Sequence, residues 1–313
     1  MRGGGCGGHG DDLSASTMVE VKPVLGGATA GGGYGGGMTT RPQNAPATPA
    51  APAPHIEFDG RPATEEDLRI PALHGFGHFT ALQVRGGAVR GLGAHLDRLD
   101  AANRELFGRP LGGDRVRELI RHALAGAGRA DASVRVNAYL PPGAAETVLM
   151  VAVREPAALP AAARSLMSVP YARPAPHIKR PGEFGQTYYG MLAGRAGFDE
   201  ALLTLPSGAV TEGATTNVGF WDGASVVWPD APALTGTTMT LLERGLDRAG
   251  RPSVRRPVTL EGPGGVGRFR AAFVCNSQGI APVQRIDATP FTVDEELMRE
   301  LRAAYGAAPA DAV

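Results

Sequence analysis

Two side chains in the stretch 177–220 could do covalent chemistry together: the amine of Lys179 and the carboxylate of Glu212. Lys179 is set between apolar Ile178 and a Pro181-Gly182 turn. Glu212 closes a short apolar run, ahead of Gly213 and the small residues Ala214, Thr215, Thr216 and Asn217. An amine can condense with a carbonyl, and a carboxylate on a neighbouring element can hold a pyridine nitrogen protonated so that the ring acts as an electron sink. That pair is what pyridoxal-phosphate chemistry requires. Taken singly, a lysine at a strand edge or a glutamate at a strand end is an ordinary solvated residue. The surrounding pattern therefore decides.

Between the two residues the sequence predicts a helix over 186–195, ended by Gly197, and strands over 200–205 and 209–212 joined at Ser207-Gly208. Groups suited to an anion lie on other elements. Arg98 falls in a predicted helix, 94–107, one helical step from His95, so both share a side. Leu96, Leu99 and Leu106 form its apolar stripe and Gly108 ends it. An exposed pairing of Arg98 with Asp97 or Asp100 is the plainer alternative. Gly236-Thr237-Thr238 opens a predicted helix over 239–248. Free N–H groups and hydroxyls at such an end suit an anion, and a threonine there also serves as an ordinary cap. A strand over 271–274 runs into Cys275-Asn276-Ser277, where Asn276 and Ser277 can bond a phosphate or a substrate carboxylate. Cys275 reads as a small buried apolar residue. A strand over 79–84 begins with Phe79-Thr80, turns at Gly86-Gly87 and returns through Ala88-Val89.

In order and spacing these motifs resemble the core of the class IV aminotransferases, the fold-type IV group of pyridoxal-phosphate enzymes. That group includes branched-chain and D-amino-acid aminotransferases and 4-amino-4-deoxychorismate lyases. The resemblance is carried by Ile178-Lys179, by Gly197-Phe198-Asp199-Glu200-Ala201-Leu202-Leu203, by Gly208-Ala209-Val210-Thr211-Glu212-Gly213, and by Asn217. It is extended by His95-Leu96-Asp97-Arg98-Leu99, similar to the family's H-x-x-R-L, and by Leu234-Thr235-Gly236-Thr237-Thr238, similar to its phosphate cradle. It runs over 56–305.

The resemblance implies an α/β (α+β) enzyme of two lobes, a small N-terminal α/β lobe over 55–163 and a larger C-terminal lobe over 164–313, linked through 156–163. It implies pyridoxal 5′-phosphate as cofactor, with Lys179 catalytic. Glu212 is then the partner of the ring nitrogen, and Arg98, Thr237, Thr238 and Asn276 the phosphate ligands. Phe79, Thr80 and Ser277 are expected near the substrate. The implied activity is amino transfer between an amino acid and a 2-oxo acid. Phe79-Thr80 and Cys275-Asn276 are similar to lyase members, so elimination from 4-amino-4-deoxychorismate is the alternative. A silent family member acting as a binding protein is a third reading, against which the intact Lys179, Glu212 and Arg98 argue. A homodimer is expected, with 71–79 and 169–176 as packing segments. The chain departs from the family at Gly182, where many members carry Asn, at Phe184, near a tyrosine position, and at Gln83, where lyases often carry Arg. These departures bear on the substrate and leave the cofactor residues in place.

The remaining chain predicts scaffold. Residues 1–54 are Gly-rich, then alternate Pro and Ala, a composition expected to stay disordered. Ile56 and Phe58 precede an Asp59-Gly60 hairpin turn. An amphipathic helix is expected over 114–125, strands over 133–140 and 147–153, a hairpin over 216–228 around Asp222-Gly223, a strand over 253–258 and a last helix over 294–305. With 31 basic and 31 acidic residues there is no basic surplus for a nucleic-acid partner. No apolar run is long enough for a membrane span, and the N-terminus lacks a secretory apolar segment. The two cysteines, Cys6 and Cys275, build no disulfide framework, which suits the cytoplasm. The histidines take no zinc-like spacing.

Overall fold

The computed structural model describes residues 52–73, 75–251 and 253–313. The segment expected to be disordered therefore lies outside the described residues, apart from 52–54. The chain begins with β1 (His55–Phe58), β2 (Arg61–Pro62) and α1 (Glu65–Leu73), followed by β3 (Gly77–Val84), β4 (Ala88–Arg90), α2 (Leu92–Phe107), α3 (Gly113–Gly126), β5 (Ala132–Tyr139) and β6 (Val148–Arg154). Five of these strands form an antiparallel sheet in the order β2-β1-β6-β5-β3. Helices α2 and α3 cover it, because their apolar stripes (Leu92, Leu96 and Leu99; Val116, Ile120 and Leu124) meet inward residues such as Leu82 and Leu149.

The second half runs β7 (Arg164–Pro170), α4 (Phe184–Arg195), β8 (Glu200–Thr204), β9 (Val210–Gly213), β10 (Asn217–Trp221), β11 (Val226–Pro229), α5 (Thr237–Arg248), β12 (Ser253–Arg256), β13 (Ala271–Asn276), β14 (Gly279–Ile286), β15 (Thr289–Pro290), α6 (Glu295–Gly306) and β16 (Ala310–Ala312). Its mixed sheet has the order β12-β11-β10-β13-β14-β7-β8-β9, with β15 beside β14. Both faces are covered. Along β13, Ala272 and Val274 enter one apolar cluster while Ala271, Phe273 and Cys275 enter another beneath α5 and α6, the two-residue period of a strand buried on both sides. Cys275 is thus fully buried, and burial pushes its thiol up, as fits a packing residue.

The expected elements recur within a few residues of their predicted ends, one of them differently paired, while α1, β7, β14, β15 and β16 are additional to the expectations. The return from Gly86-Gly87 touches β3 through one bridge, Arg85 to Ala88, and β4 pairs instead with the C-terminal β16. Helix α2, which follows β4 at once, packs against β3. Helix α1 has no counterpart among the expectations. Pro71 inside it interrupts the helical pattern. Its start is a reciprocal cap, in which Thr64 N donates to Asp67 Oδ2 (2.8 Å) and Asp67 N to Thr64 Oγ1 (3.3 Å). No helix among the described residues is long and apolar enough to cross a membrane.

Candidate active site

A cavity of about 310 Å³ collects residues of both sheets. Of the nine expected site residues, Lys179, Glu212, Arg98, Thr237, Thr238, Asn276, Phe79 and Ser277 line it, and Thr80 does not.

Lys179 stands in the irregular segment between β7 and α4. Its carbonyl accepts the backbone N–H of Phe79 (2.7 Å), which ties the segment to the start of β3. Its Nζ lies 4.9 Å from the centroid of the Phe79 ring. Burial, aided by the charges of Arg98 and Arg173, lowers its pKa to about 8. The chain holds only two lysines, Lys22 and Lys179. Lys179 is therefore the one side-chain amine among the described residues, and it is primed to act as a nucleophile.

Arg173 places this segment, and the sequence pattern did not single it out. Its buried guanidinium donates to Pro176 O (2.9 Å) and Ile178 O (3.0 Å) on the lysine's own segment. It also donates to Glu212 Oε1 (3.1 Å) and Glu183 Oε1 (2.8 Å). One cation thus joins the lysine segment to the end of β9. The available signal was a single charged residue in the proline-punctuated run YARPAPH. Such a charge, once buried, requires partners.

Glu212 sits on β9, where all four residues are buried. Its Oε2 accepts Leu234 N (3.3 Å), and Oε1 faces Arg173. Burial lifts its carboxyl above the ordinary range, against the pull of Arg173. The turn after it is fixed from behind by Glu200. This buried carboxylate accepts Thr215 N (2.6 Å), Thr215 Oγ1 (2.9 Å) and Thr216 Oγ1 (3.2 Å). A side chain at Gly213 would place its Cβ 2.2 Å from Thr216 Oγ1, so only glycine fits there.

Helices α2 and α5 supply further polar groups to the cavity. Arg98 makes neither of the exposed pairings its neighbours offered; Asp100 bonds Arg104 instead (2.7 Å). Arg98 is buried, which lowers its pKa to about 10, and its Nη2 donates to Thr80 Oγ1 (2.6 Å). That hydroxyl, so engaged, donates on to His95 Nδ1 (2.7 Å). Burial and the charges of Arg98 and Lys179 hold His95 at about 3, so its ring is neutral. Thr80 is thereby placed on the α2 face of β3, where it orients Arg98, while Phe79 and Ala81 on the other face border the cavity. Arg98 Nε is buried without a partner. Helix α5 starts at Gly236 with no side-chain cap, which leaves its first N–H groups available. A Cβ on Gly236 would lie 2.1 Å from Asn217 Oδ1. Thr238 Oγ1 donates to Asn276 O (2.8 Å), and Gln278 N to Asn276 Oδ1 (2.8 Å), which sets the turn bearing Ser277. An orphaned guanidinium nitrogen, an uncapped helix N-terminus and the Thr237 hydroxyl form a donor set that fits a phosphate. The buried amine and the buried carboxylate line the same cavity. The residues present thus fit a phosphorylated pyridine aldehyde.

The remaining wall is polar. Arg135 lies over the Phe79 ring (3.6 Å from its centroid) and bonds Asn137 (2.9 Å). Gln186 donates to Ala214 O (2.5 Å). Phe184, near the family's tyrosine position, is 77% exposed and stacks on Tyr188 outside the cavity. Tyr189 packs on Tyr171. Neither tyrosine of α4 borders the cavity. No grouping suited to a metal ion occurs among the described residues.

The family model described as "Amino-transferase class IV" matches residues 77–286. Among solved structures, the branched-chain amino acid aminotransferase from Escherichia coli is similar, with 19% identity, a TM-score of 0.69, and coverage of 82% of this chain and 94% of that one. The branched-chain aminotransferase from Thermoproteus uzoniensis with norvaline also shows 19% identity and a TM-score of 0.69, over 80% and 94% of the two chains. A hypothetical aminotransferase from Mycobacterium tuberculosis in a PLP-bound form shows 20% identity and a TM-score of 0.65, over 75% and 91%. No curated protein matches in sequence.

Proposed function

The chain belongs to the class IV aminotransferases and is a pyridoxal-phosphate-dependent enzyme; on that premise we propose that it transfers an amino group between an amino acid and a 2-oxo acid through Lys179. The observation that carries this reading is the meeting, in one cavity, of the one described lysine, a buried carboxylate and an uncapped helix N-terminus. When bound, the cofactor supplies an aldehyde and an electron-withdrawing ring. Arg98, Thr237, Thr238 and the first N–H groups of α5 hold its phosphate, and Asn276 fixes the turn beside them. Glu212 keeps the ring nitrogen protonated. Lys179 Nζ anchors the cofactor at rest. Toward the substrate, the Lys179 amine would take a proton from the amino-bearing carbon and later return one. Phe79 and Ser277 border the substrate, and Thr80 acts behind them by orienting Arg98.

Two of the three solved relatives are named as branched-chain aminotransferases. Here the cavity offers an apolar side chain Phe79, Ala81, Ala214 and Leu234, next to Arg135, Gln186 and Gln278. That wall favours an acidic or polar amino donor. The same polarity keeps the lyase reading as the alternative. Purified enzyme supplied with amino donors and 2-oxo acids, and separately with 4-amino-4-deoxychorismate alone, decides between them. Transfer needs both partners, whereas elimination releases pyruvate from one. Absence of any reaction in both assays would refute the two readings together.

The assembly we propose is a homodimer. Leu73, Phe76 and Phe184 are 75%, 64% and 77% exposed, and Tyr188 and Met191 continue the apolar face of α4. Such faces mark interfaces. Of the two expected packing segments, 71–79 supplies exposed apolar residues, while 169–176 carries buried Val169 and Arg173. Light scattering at low concentration tests the dimer, and a fully active monomer would refute it.

A further inference from the structure

A second cavity, of about 270 Å³, lies across the turn at 276–279. The two cavities share Ser277 and Gln278 and so meet at the tip of that turn. Two guanidinium groups line the second one. Arg85 donates to Val84 O and to Ala157 O (2.8 Å each). Arg90 donates to Gly306 O (2.8 Å) and Ala308 O (2.6 Å). These acceptors are neutral carbonyls. They fix where each guanidinium stands without cancelling its charge, and among the described residues neither arginine has a carboxylate partner. Tyr305 shares the wall. Burial pushes its hydroxyl up, while Arg90 and Arg85 are both close enough to oppose that rise. An exposed Arg85 and a half-buried Arg90 thus stand at one cavity with no counterion among the described residues, and a bound anion would pair with both.

The cavities are also joined along β3. Phe79 and Ala81 border the first and Gln83 the second, all on one face of the strand. The Cα positions of Phe79 and Gln83 are about 13 Å apart at ~3.3 Å per residue. The small side chain of Ala81 leaves the lane between them low. We propose that the second cavity is a distal anion subsite of the active site, and that the amino donor carries a second acidic group on a chain long enough to pass Ser277 and Gln278. This rests on the amino-transfer reading and names its substrate class: α-amino acids with an extended side chain ending in a carboxylate or similar anion.

The test compares alanine, aspartate, glutamate, 2-aminoadipate, 2-aminopimelate and 2-aminosuberate, in both enantiomers, as donors. KM should fall at least tenfold along the acidic series with kcat nearly constant. Arg85→Gln, which removes one charge, and Ala88→Phe, which fills the cavity, should each return the long acids to the KM of the short ones. Alanine kinetics should be unchanged in both. A flat series in the wild type, or a series preserved in both variants, would overturn the subsite. Calorimetry with suberate, which has no amino group, gives an independent reading. Suberate should bind the wild-type holoenzyme and bind Arg85→Gln at least tenfold more weakly. If no donor reacts yet suberate binding still depends on Arg85, the amino-transfer reading falls and the anion site stands. If suberate does not bind, the site falls.

Discussion

The proposed anion end and amine end of the cofactor cavity are built in different ways. At the anion end the groups ride on helices: Arg98 on α2 and Thr237 and Thr238 at the start of α5. The helices fix the direction of these groups, and each helix is anchored by a buried apolar stripe. At the amine end Lys179 rides on a segment with no regular structure. Its position depends on the Phe79 N–H and on a buried arginine that reaches Pro176, Ile178, Glu183 and Glu212 together. Local pattern builds the first end and long-range charge pairing builds the second. Damage to the first should therefore weaken cofactor retention, whereas damage to the second should impair chemistry and stability.

The largest effect is expected from Lys179→Ala. Removing the amine that moves the proton should lower turnover by at least about 10²–10⁴-fold while the melting temperature stays near that of the wild type; near-normal turnover would break the assignment. Next comes Glu212→Gln, which keeps the shape and an acceptor for Leu234 N but loses the charge opposite the ring nitrogen. Turnover should drop about 10²–10³-fold, with cofactor affinity changed far less. Wild-type kcat in that variant would reduce Glu212 to a strand-end residue. Arg173→Met should leave buried Glu212 without its ion-pair partner, Glu183 keeping Arg180, at a cost of about 3–5 kcal/mol, visible as a lower denaturation midpoint in the cofactor-free protein. An unchanged midpoint would show that the lysine segment does not rest on this ion pair.

At the anion end the expected effects are smaller and of another kind. Arg98→Met removes charge-assisted hydrogen bonds worth about 1.5–3 kcal/mol, so the cofactor Kd should rise roughly ten- to a hundredfold while kcat at saturating cofactor stays within a few fold. A kcat loss equal to that of Glu212→Gln would erase the contrast between the two ends. The smallest effect concerns pH. Lys179 is depressed to about 8 from 10.5, so its amine is charged and unreactive below that value and neutral above it. The rate of cofactor uptake by the cofactor-free protein should rise with pH and level off above about 8. A rise continuing toward 10.5 would contradict the buried setting of the amine.

The same contrast explains what the sequence could reveal. The helix bearing Arg98, the Gly-Thr-Thr start of α5 and the hairpin around Glu212 follow from period, caps and turn residues. The class IV resemblance rests on those same residues, and the family match over 77–286 agrees with it. Arg173 was not legible, because nothing local distinguishes an arginine that pairs with residue 212 from a solvated one. Thr80 was placed near the substrate by its neighbour Phe79, but the two-residue period of β3 turns it to the opposite face, against Arg98 and His95. The partnership of β4 with β16, more than two hundred residues away in sequence, is likewise a product of topology rather than of local pattern.

The central claim is that Lys179 anchors the cofactor. The most direct measurement is borohydride reduction of the cofactor-loaded protein followed by peptide mapping. With only Lys22 and Lys179 in the chain, the outcome is unambiguous. The account predicts one phosphopyridoxyl adduct per chain, on Lys179, and none in Lys179→Ala. An adduct on Lys22 alone, or no adduct at all, would contradict it.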